Sequence, residues 1–148
     1  MQKIKTLLVL GALLGSAAAY AAKCDLSTVE GTYTQTVTGW SGSGDDRQPL
    51  AGVRVKKFEI VGGLGKVTTL YSATATDGLQ AVPSAVPSVY GSYKVSAVGK
   101  GSCSVEVKRP FPTLFTAVGV TSDNGNHISA ISTSAGSTTS NEYVRVSR

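Results

Sequence analysis

The sequence predicts an all-β chain, an eight-stranded antiparallel up-and-down barrel, with a β-sandwich of seven or eight strands as the alternative. Three observations carry this. Short runs alternate apolar and polar residues with a period of two, as half-buried strands do. Clusters of Gly, Pro, Asn and Asp separate the runs. Beyond the first twenty residues no window repeats the i, i+3, i+4 pattern of an amphipathic helix. The stretch from Val89 to Val107 shows the pattern most clearly. Val89, Gly91, Tyr93 and Val95 fall on one side of an extended chain, and Cys103, Val105 and Val107 on one side of the next. The Gly-Lys-Gly break between them makes a hairpin.

The composition fits an exported β protein. Of 148 residues, only 16% are charged, and 17 are Gly; that length suits one domain with a real core. Residues 1–21 read as a signal peptide, with Lys3 and Lys5 as a positive start and Ile4 and Thr6 to Leu14 as the apolar run. Ala19-Tyr20-Ala21 places cleavage after Ala21, leaving residues 22–148 as a single barrel domain. The apolar run is shorter than the roughly 20 residues a membrane span needs, so no span is expected after cleavage. Lys23 stands where a lipid attachment site at Cys24 would need a small residue. Loss of Lys3 and Lys5 lowers the formal charge from +5 to +3, too little to argue for nucleic acid. The pairs Lys56-Lys57 and Lys108-Arg109 read as solvated strand faces, with an anion-attracting patch as the alternative. The two cysteines, Cys24 and Cys103, most simply form one disulfide in an oxidising compartment, with two buried thiols as the alternative. The expected location is the periplasm or the extracellular space.

The strands follow in order. From Val29 to Trp40, Tyr33, Gln35 and Val37 share one face and a row of Thr the other. Ser41 to Gln48 is a polar, Gly-containing loop suited to a barrel mouth. Leu50 to Val61 is the second strand: Val53 and Val55 alternate in one phase, Phe58 and Ile60 in the other, and a β-bulge is expected at Lys56-Lys57. After the turn at 62–65, Lys66 to Thr76 places Val67, Thr69, Tyr71, Ala73 and Ala75 on one face. Asp77 to Pro87 is a loop, because Pro83 and Pro87 cannot donate to a ladder. Its Leu79, Ala81, Val82 and Val86 suit a lid or an outer packing. The central hairpin follows, then a break at Arg109-Pro110-Phe111-Pro112. Leu114 to Thr121 carries Leu114, Thr116, Val118 and Val120 on one face. Ser122 to Asn126 is a turn, His127 to Thr133 a strand, Ser134 to Ser140 a loop, and Glu142 to Ser147 the last strand. Eight such strands in sequence order close into a barrel just wide enough to fill with side chains or to hold one small ligand. An outer-membrane barrel is disfavoured by the short strands and the Lys-bearing faces.

Several residues in this order carry a resemblance. They are Gly31-Thr32-Tyr33, Ala51-Gly52-Val53 followed by Phe58, Val67-Thr68 after a Gly turn, Gly91-Ser92-Tyr93-Lys94-Val95, the strand with Cys103, and Asp123-Asn124-Gly125-Asn126. The pattern resembles small exported bacterial barrels similar to the allene oxide cyclase barrel and, more broadly, to the calycin (lipocalin-like) folds. The resemblance spans most of residues 29–148 and implies a calycin-like barrel. It departs at Phe58-Glu59-Ile60-Val61-Gly62-Gly63, where the family pattern ends Phe-Asp-Gly. No catalytic residues carry over.

The chemistry-bearing residues are few. His127 is the single histidine and starts a strand, which reads as a surface position rather than a base or ligand. No metal-ligand spacing is present, and no metal or cofactor is expected. Gly39-Trp40-Ser41-Gly42-Ser43 lacks the final Gly and the strand-to-helix context of a nucleophile elbow. Asp123 to Asn126 lacks the downstream Glu of a calcium loop and reads as a hairpin turn. The candidate ligand-contacting residues are Tyr33, Gln35, Tyr71 and Tyr93 in the lumen and Trp40 at the rim, with Tyr143 a further strand tyrosine able to point inward and Glu106 or Glu30 as a lumen carboxylate. Three functions follow. The first is a binding barrel for a small apolar or amphipathic ligand. The second is an isomerase or cyclase similar to allene oxide cyclase, which needs a buried Glu or Tyr. The third is a filled barrel that contacts a protein partner through its loops. Enzymatic activity is left open, with binding preferred.

Overall fold

The computed structural model describes residues 23–42, 44–76, 82–84, 88–99, 102–109, 115–134 and 137–148. The expected signal peptide and the expected cleavage site lie outside the described residues. So do most of the 77–87 loop and the break at 110–114.

Among the described residues, nine strands form one antiparallel sheet. They are β1 (Gly31–Ser41), β2 (Gln48–Val61), β3 (Leu64–Thr76), β4 (Val82–Ser84), β5 (Ser88–Gly99), β6 (Ser102–Arg109), β7 (Phe115–Ser122), β8 (His127–Ser134) and β9 (Ser137–Ser147). Eight of them close a barrel in up-and-down order, since β9 returns to pair with β1 and β2 pairs with both β1 and β3. The short β4 is an addition inside the stretch the sequence reads as loop, and it adds to β3 at Ser72–Thr74. Among the described residues no helix is long and apolar enough to cross a membrane.

Register and burial identify the inner face. Gly31, Tyr33, Gln35 and Val37 of β1 are buried, and they pair with Phe58, Lys56, Arg54 and Gly52 of β2. Partners in a ladder point to the same side of a sheet, so the even-numbered residues of β2 face inward along this run. Two sequence expectations change here. The phase of β2 does not switch at Lys56-Lys57. A register shift does occur there, between Val55 and Lys56, but the extra residue is Leu70 on β3: Val55 pairs with Tyr71 and Lys56 with Thr69. The bulge reverses the phase of β3, which turns Val67 and Thr69 inward, then Ser72 and Thr74, and leaves Tyr71 on the outer side. On β7 the inner residues are Ala117, Gly119 and Thr121, while Val118 and Val120 are exposed.

The lower end of the barrel is solid. Phe58 sits among Tyr33 and Tyr93, both with ring centroids at 5.2 Å, and Tyr143 at 6.1 Å, all edge-on. A short 3-10 turn, Leu26–Thr28, lies beneath this cluster. The Tyr93 hydroxyl donates to the Leu26 carbonyl at 3.1 Å. The Tyr33 hydroxyl donates to the Gly125 carbonyl at 2.7 Å and accepts from the Arg145 guanidinium at 2.6 and 2.9 Å. Arg145 also donates to the Thr28 carbonyl and to Asn126 Oδ1. These bonds satisfy the buried phenols and knit the entering chain to the turn between β7 and β8. Gly125 has φ +80°, and a Cβ there would stand 2.0 Å from the Thr28 carbonyl oxygen. Gly125→Ala should therefore cost about 1–3 kcal/mol, read as a lower denaturant midpoint with an unchanged slope. An unchanged midpoint would mean that this turn is looser than described.

Cys24 and Cys103 form a disulfide with Cα atoms 5.4 Å apart. It ties the segment under the barrel to the inner face of β6. The bridged residues are 79 apart in sequence, so the cross-link removes much freedom from the unfolded chain. Replacing both cysteines by Ser should lower stability by about 2–4 kcal/mol, measured by urea unfolding. An unaltered midpoint would show that Leu26–Thr28 is held by its hydrogen bonds alone.

Candidate functional site

Above the aromatic floor the barrel is not filled. A cavity of about 200 Å³ is lined by Gln35, Arg54, Lys56, Phe58, Val67, Thr69, Ser72, Val107, Arg109 and Tyr143. Phe58 forms its base, and Val67 and Val107 form apolar walls. The polar groups come from β1, β2, β3, β6 and β9. The cavity lies toward the barrel end that carries the connections β1–β2, β3–β5, β6–β7 and β8–β9, the end the sequence reads as the mouth.

The side from β1, β8 and β9 is a buried hydrogen-bonded network. Asn141 Nδ2 donates to the Thr139 carbonyl at 3.2 Å and to Ser132 Oγ at 3.0 Å. A carbonyl can only accept, so this contact fixes the orientation of the Asn141 amide. Its Oδ1 then accepts from Gln35 Nε2 at 2.7 Å, and the same nitrogen donates to the Tyr143 hydroxyl at 3.0 Å. The Gln35 amide is oriented in turn, and its Oε1 is left buried without a hydrogen-bond partner among the described residues. Burial pushes Tyr143 up to about 12, opposed by the nearby Arg54. Tyr143 is therefore a neutral phenol at the cavity wall.

The lining contributed by β2 and β6 is cationic. Arg54 and Lys56 are two apart on the inner face of β2, and Arg109 ends β6. The Lys56 ammonium donates to Thr69 Oγ1. Desolvation, then the charges of Arg54 and Arg109, push the Lys56 ammonium down to about 7. Desolvation first, with Arg109 adding to it, also pushes Arg54 down. Among the described residues no carboxylate lines the cavity, and the salt bridges present there do not involve Arg54 or Lys56. The other half of each basic pair behaves as the sequence suggests. Lys57 is paired with Glu59 and Lys108 with Glu106 on the outer face.

Comparison with known protein families, curated proteins and solved structures finds no match to this chain. The functional reading rests on the barrel's own residues.

The structure brings some of the expected site residues together and separates others. Gln35 lines the cavity. Tyr33 and Tyr93 are buried within the barrel, but in the floor beneath the cavity, bonded to the lower turns. Tyr71 lies on the outer phase of β3, for the reason given by the bulge. Trp40 is 51% exposed near the end of β1. Neither expected carboxylate enters the lumen: Glu30 is exposed before β1, and Glu106 lies on the outer phase of β6, 3.0 Å from Lys108. His127 is half-exposed and sits 2.9 Å from Glu142 on the outer face. Sequence reasoning missed Arg54, Lys56, Arg109 and Ser72 as cavity residues, whereas Tyr143, one of the strand tyrosines expected to be able to point inward, lines the cavity. Counting back from Phe58 in twos would have found Lys56 and Arg54.

Proposed function

We propose that this protein is an exported binding barrel that holds a small amphipathic molecule in its lumen. The observation that carries the reading is the cavity itself: a space with an aromatic base, valine walls and converging polar groups, set in a rigid closed sheet. Ligand sites combine an apolar lining with a few placed polar groups in this way. The volume is below the roughly 300–1,000 Å³ of pockets for drug-sized ligands, so the ligand is small. The disulfide accords with an oxidising compartment. The resemblance to allene oxide cyclase and calycin barrels accords with the same reading, at the level of fold alone.

A filling substitution tests it. Ser72→Phe places a ring in the cavity from a half-buried position, and its effect on folding should be small. A thermal-shift panel of small acids, alcohols and amides should show stabilisation by at least one class. Saturation at a hundred times Kd would be worth about 2.7 kcal/mol. Ser72→Phe should abolish the shift while keeping the β-sheet circular dichroism. Absence of any shift at millimolar concentrations of every class would sink the proposal.

A further inference from the structure

We propose that the lumen is an anion site, in which Arg54 and Lys56 hold the acid group of a small organic acid whose apolar part rests on Phe58, Val67 and Val107. This rests on the reading of the lumen as a binding cavity and names the class of ligand it takes.

The argument begins with which charges are present. Two cations of β2, spaced by one residue, share the inner face of a closed barrel. Arg109, from β6, adds a third basic side chain to the lining of the same cavity. Each other lysine of the described residues that forms an ion pair, namely Lys23, Lys57 and Lys108, has a carboxylate within 3.4 Å on the surface. Arg54 and Lys56, both half-buried, have none among the described residues, although their removal from water makes a counter-charge worth more. A buried cation without a partner is costly, and an apolar side chain of similar size is often the more stable choice. A bound anion supplies the missing charge. A guanidinium offers a planar fork to a carboxylate or phosphate, and the ammonium beside it adds a point charge.

The neutral groups agree with an acid. The Tyr143 hydroxyl accepts from Gln35 and, as a neutral phenol, retains a proton to donate. Thr69 accepts from Lys56 and so holds the ammonium at the wall. The apolar base is separate from the cationic wall, so a molecule with one charged end and one apolar end matches the cavity better than inorganic anion alone. Among the described residues the charged lining is all basic, and a cleft of one charge sign focuses the field on its opening and draws in anions.

The test compares isosteres on the full mature protein. Butyrate and benzoate are titrated calorimetrically at low chloride and pH 6.5 beside butyramide and benzamide, which match them in shape without the charge. The acids should bind, and the amides should bind at least tenfold more weakly. Arg54→Met and Lys56→Met should each weaken acid binding about tenfold to a hundredfold, the loss expected for a charge-assisted hydrogen bond. A second readout is independent of variants. At pH 8 the acid should bind with uptake of close to one proton, seen as a dependence of the apparent heat on the buffer's ionisation enthalpy, because the bound anion recharges Lys56. At pH 5.5 no uptake should occur. Equal binding of amides and acids would overturn the anion site and leave the binding barrel standing. Binding of neither would overturn both.

Discussion

Lys56→Met should stabilise the ligand-free protein at pH 6 by about 2–4 kcal/mol, within the range seen when buried charges give way to apolar side chains. The sign follows from the linkage of protonation to folding. In the folded protein the ammonium is held down to about 7, by desolvation first and then by Arg54 and Arg109. In the unfolded chain it titrates at its ordinary value, near 10.5. Below pH 7 both states carry the proton, and the folded state bears the full cost of the buried charge. Between pH 7 and 10.5 the unfolded chain binds more protons, so this group makes stability rise with pH, by up to about 5 kcal/mol over the interval. The groups around Lys56 are Arg54 on its own strand, Tyr33 and Gln35 on the neighbouring β1, Thr69 on β3, Arg109 on β6 and Tyr143 on β9. Of these, Tyr143, held up to about 12, stays neutral through pH 10. The difference between wild type and Lys56→Met therefore isolates one group. Urea unfolding at pH 6, 8 and 10 should show the variant's advantage shrinking as pH rises. An advantage that is absent, or constant with pH, would place Lys56 in water rather than in the lumen.

Phe58→Ala should cost about 3–5 kcal/mol, the range for truncating a fully buried phenylalanine. Phe58 is 1% exposed and touches three tyrosine rings edge-on. Those tyrosines cannot collapse into the space, because Tyr33 and Tyr93 are anchored by their hydroxyls to Gly125 and Leu26. The void should therefore persist and join the cavity above it. Two measurements follow: a large drop in the denaturant midpoint, and acceptance of bulkier ligands than wild type. A cost below 1 kcal/mol would contradict a rigid floor.

The two predictions sit on opposite sides of the same division, a tightly packed lower half and a charged upper half. Much of the fold was legible in the sequence. Alternation in Tyr33-Gln35-Val37, Tyr93-Val95 and Cys103-Val105-Val107 marks strands because their inner residues are large and their outer ones polar. On β7 the same rule picks the wrong side as apolar. There the large residues Val118 and Val120 face out, and Ala117, Gly119 and Thr121 face in. A barrel this narrow cannot take bulky side chains from every strand, and four rings from β1, β2, β5 and β9 leave room only for small ones opposite.

The site was less legible. Read in twos, Tyr71 shares a face with Thr69, and a single extra residue, Leu70, reverses it. A bulge on β3 leaves no local mark beyond an apolar residue out of phase. Lys56 and Arg54 look solvated because charge is ordinarily outside. Only their phase with Phe58 argues otherwise, and that argument needs the ladder to β1 to be convincing. Gln35 was found because its strand alternates cleanly. Tyr143 sits in a strand with Val144 and Val146 on the other face, so that strand too offers its aliphatic residues to solvent.

The most direct measurement is a native mass spectrum of the mature protein purified from its own host under gentle conditions. The account predicts a retained small molecule, acidic on release, whose adduct disappears in Ser72→Phe and in Lys56→Met. A bare polypeptide mass, together with no thermal shift from any acid, alcohol or amide, would contradict it.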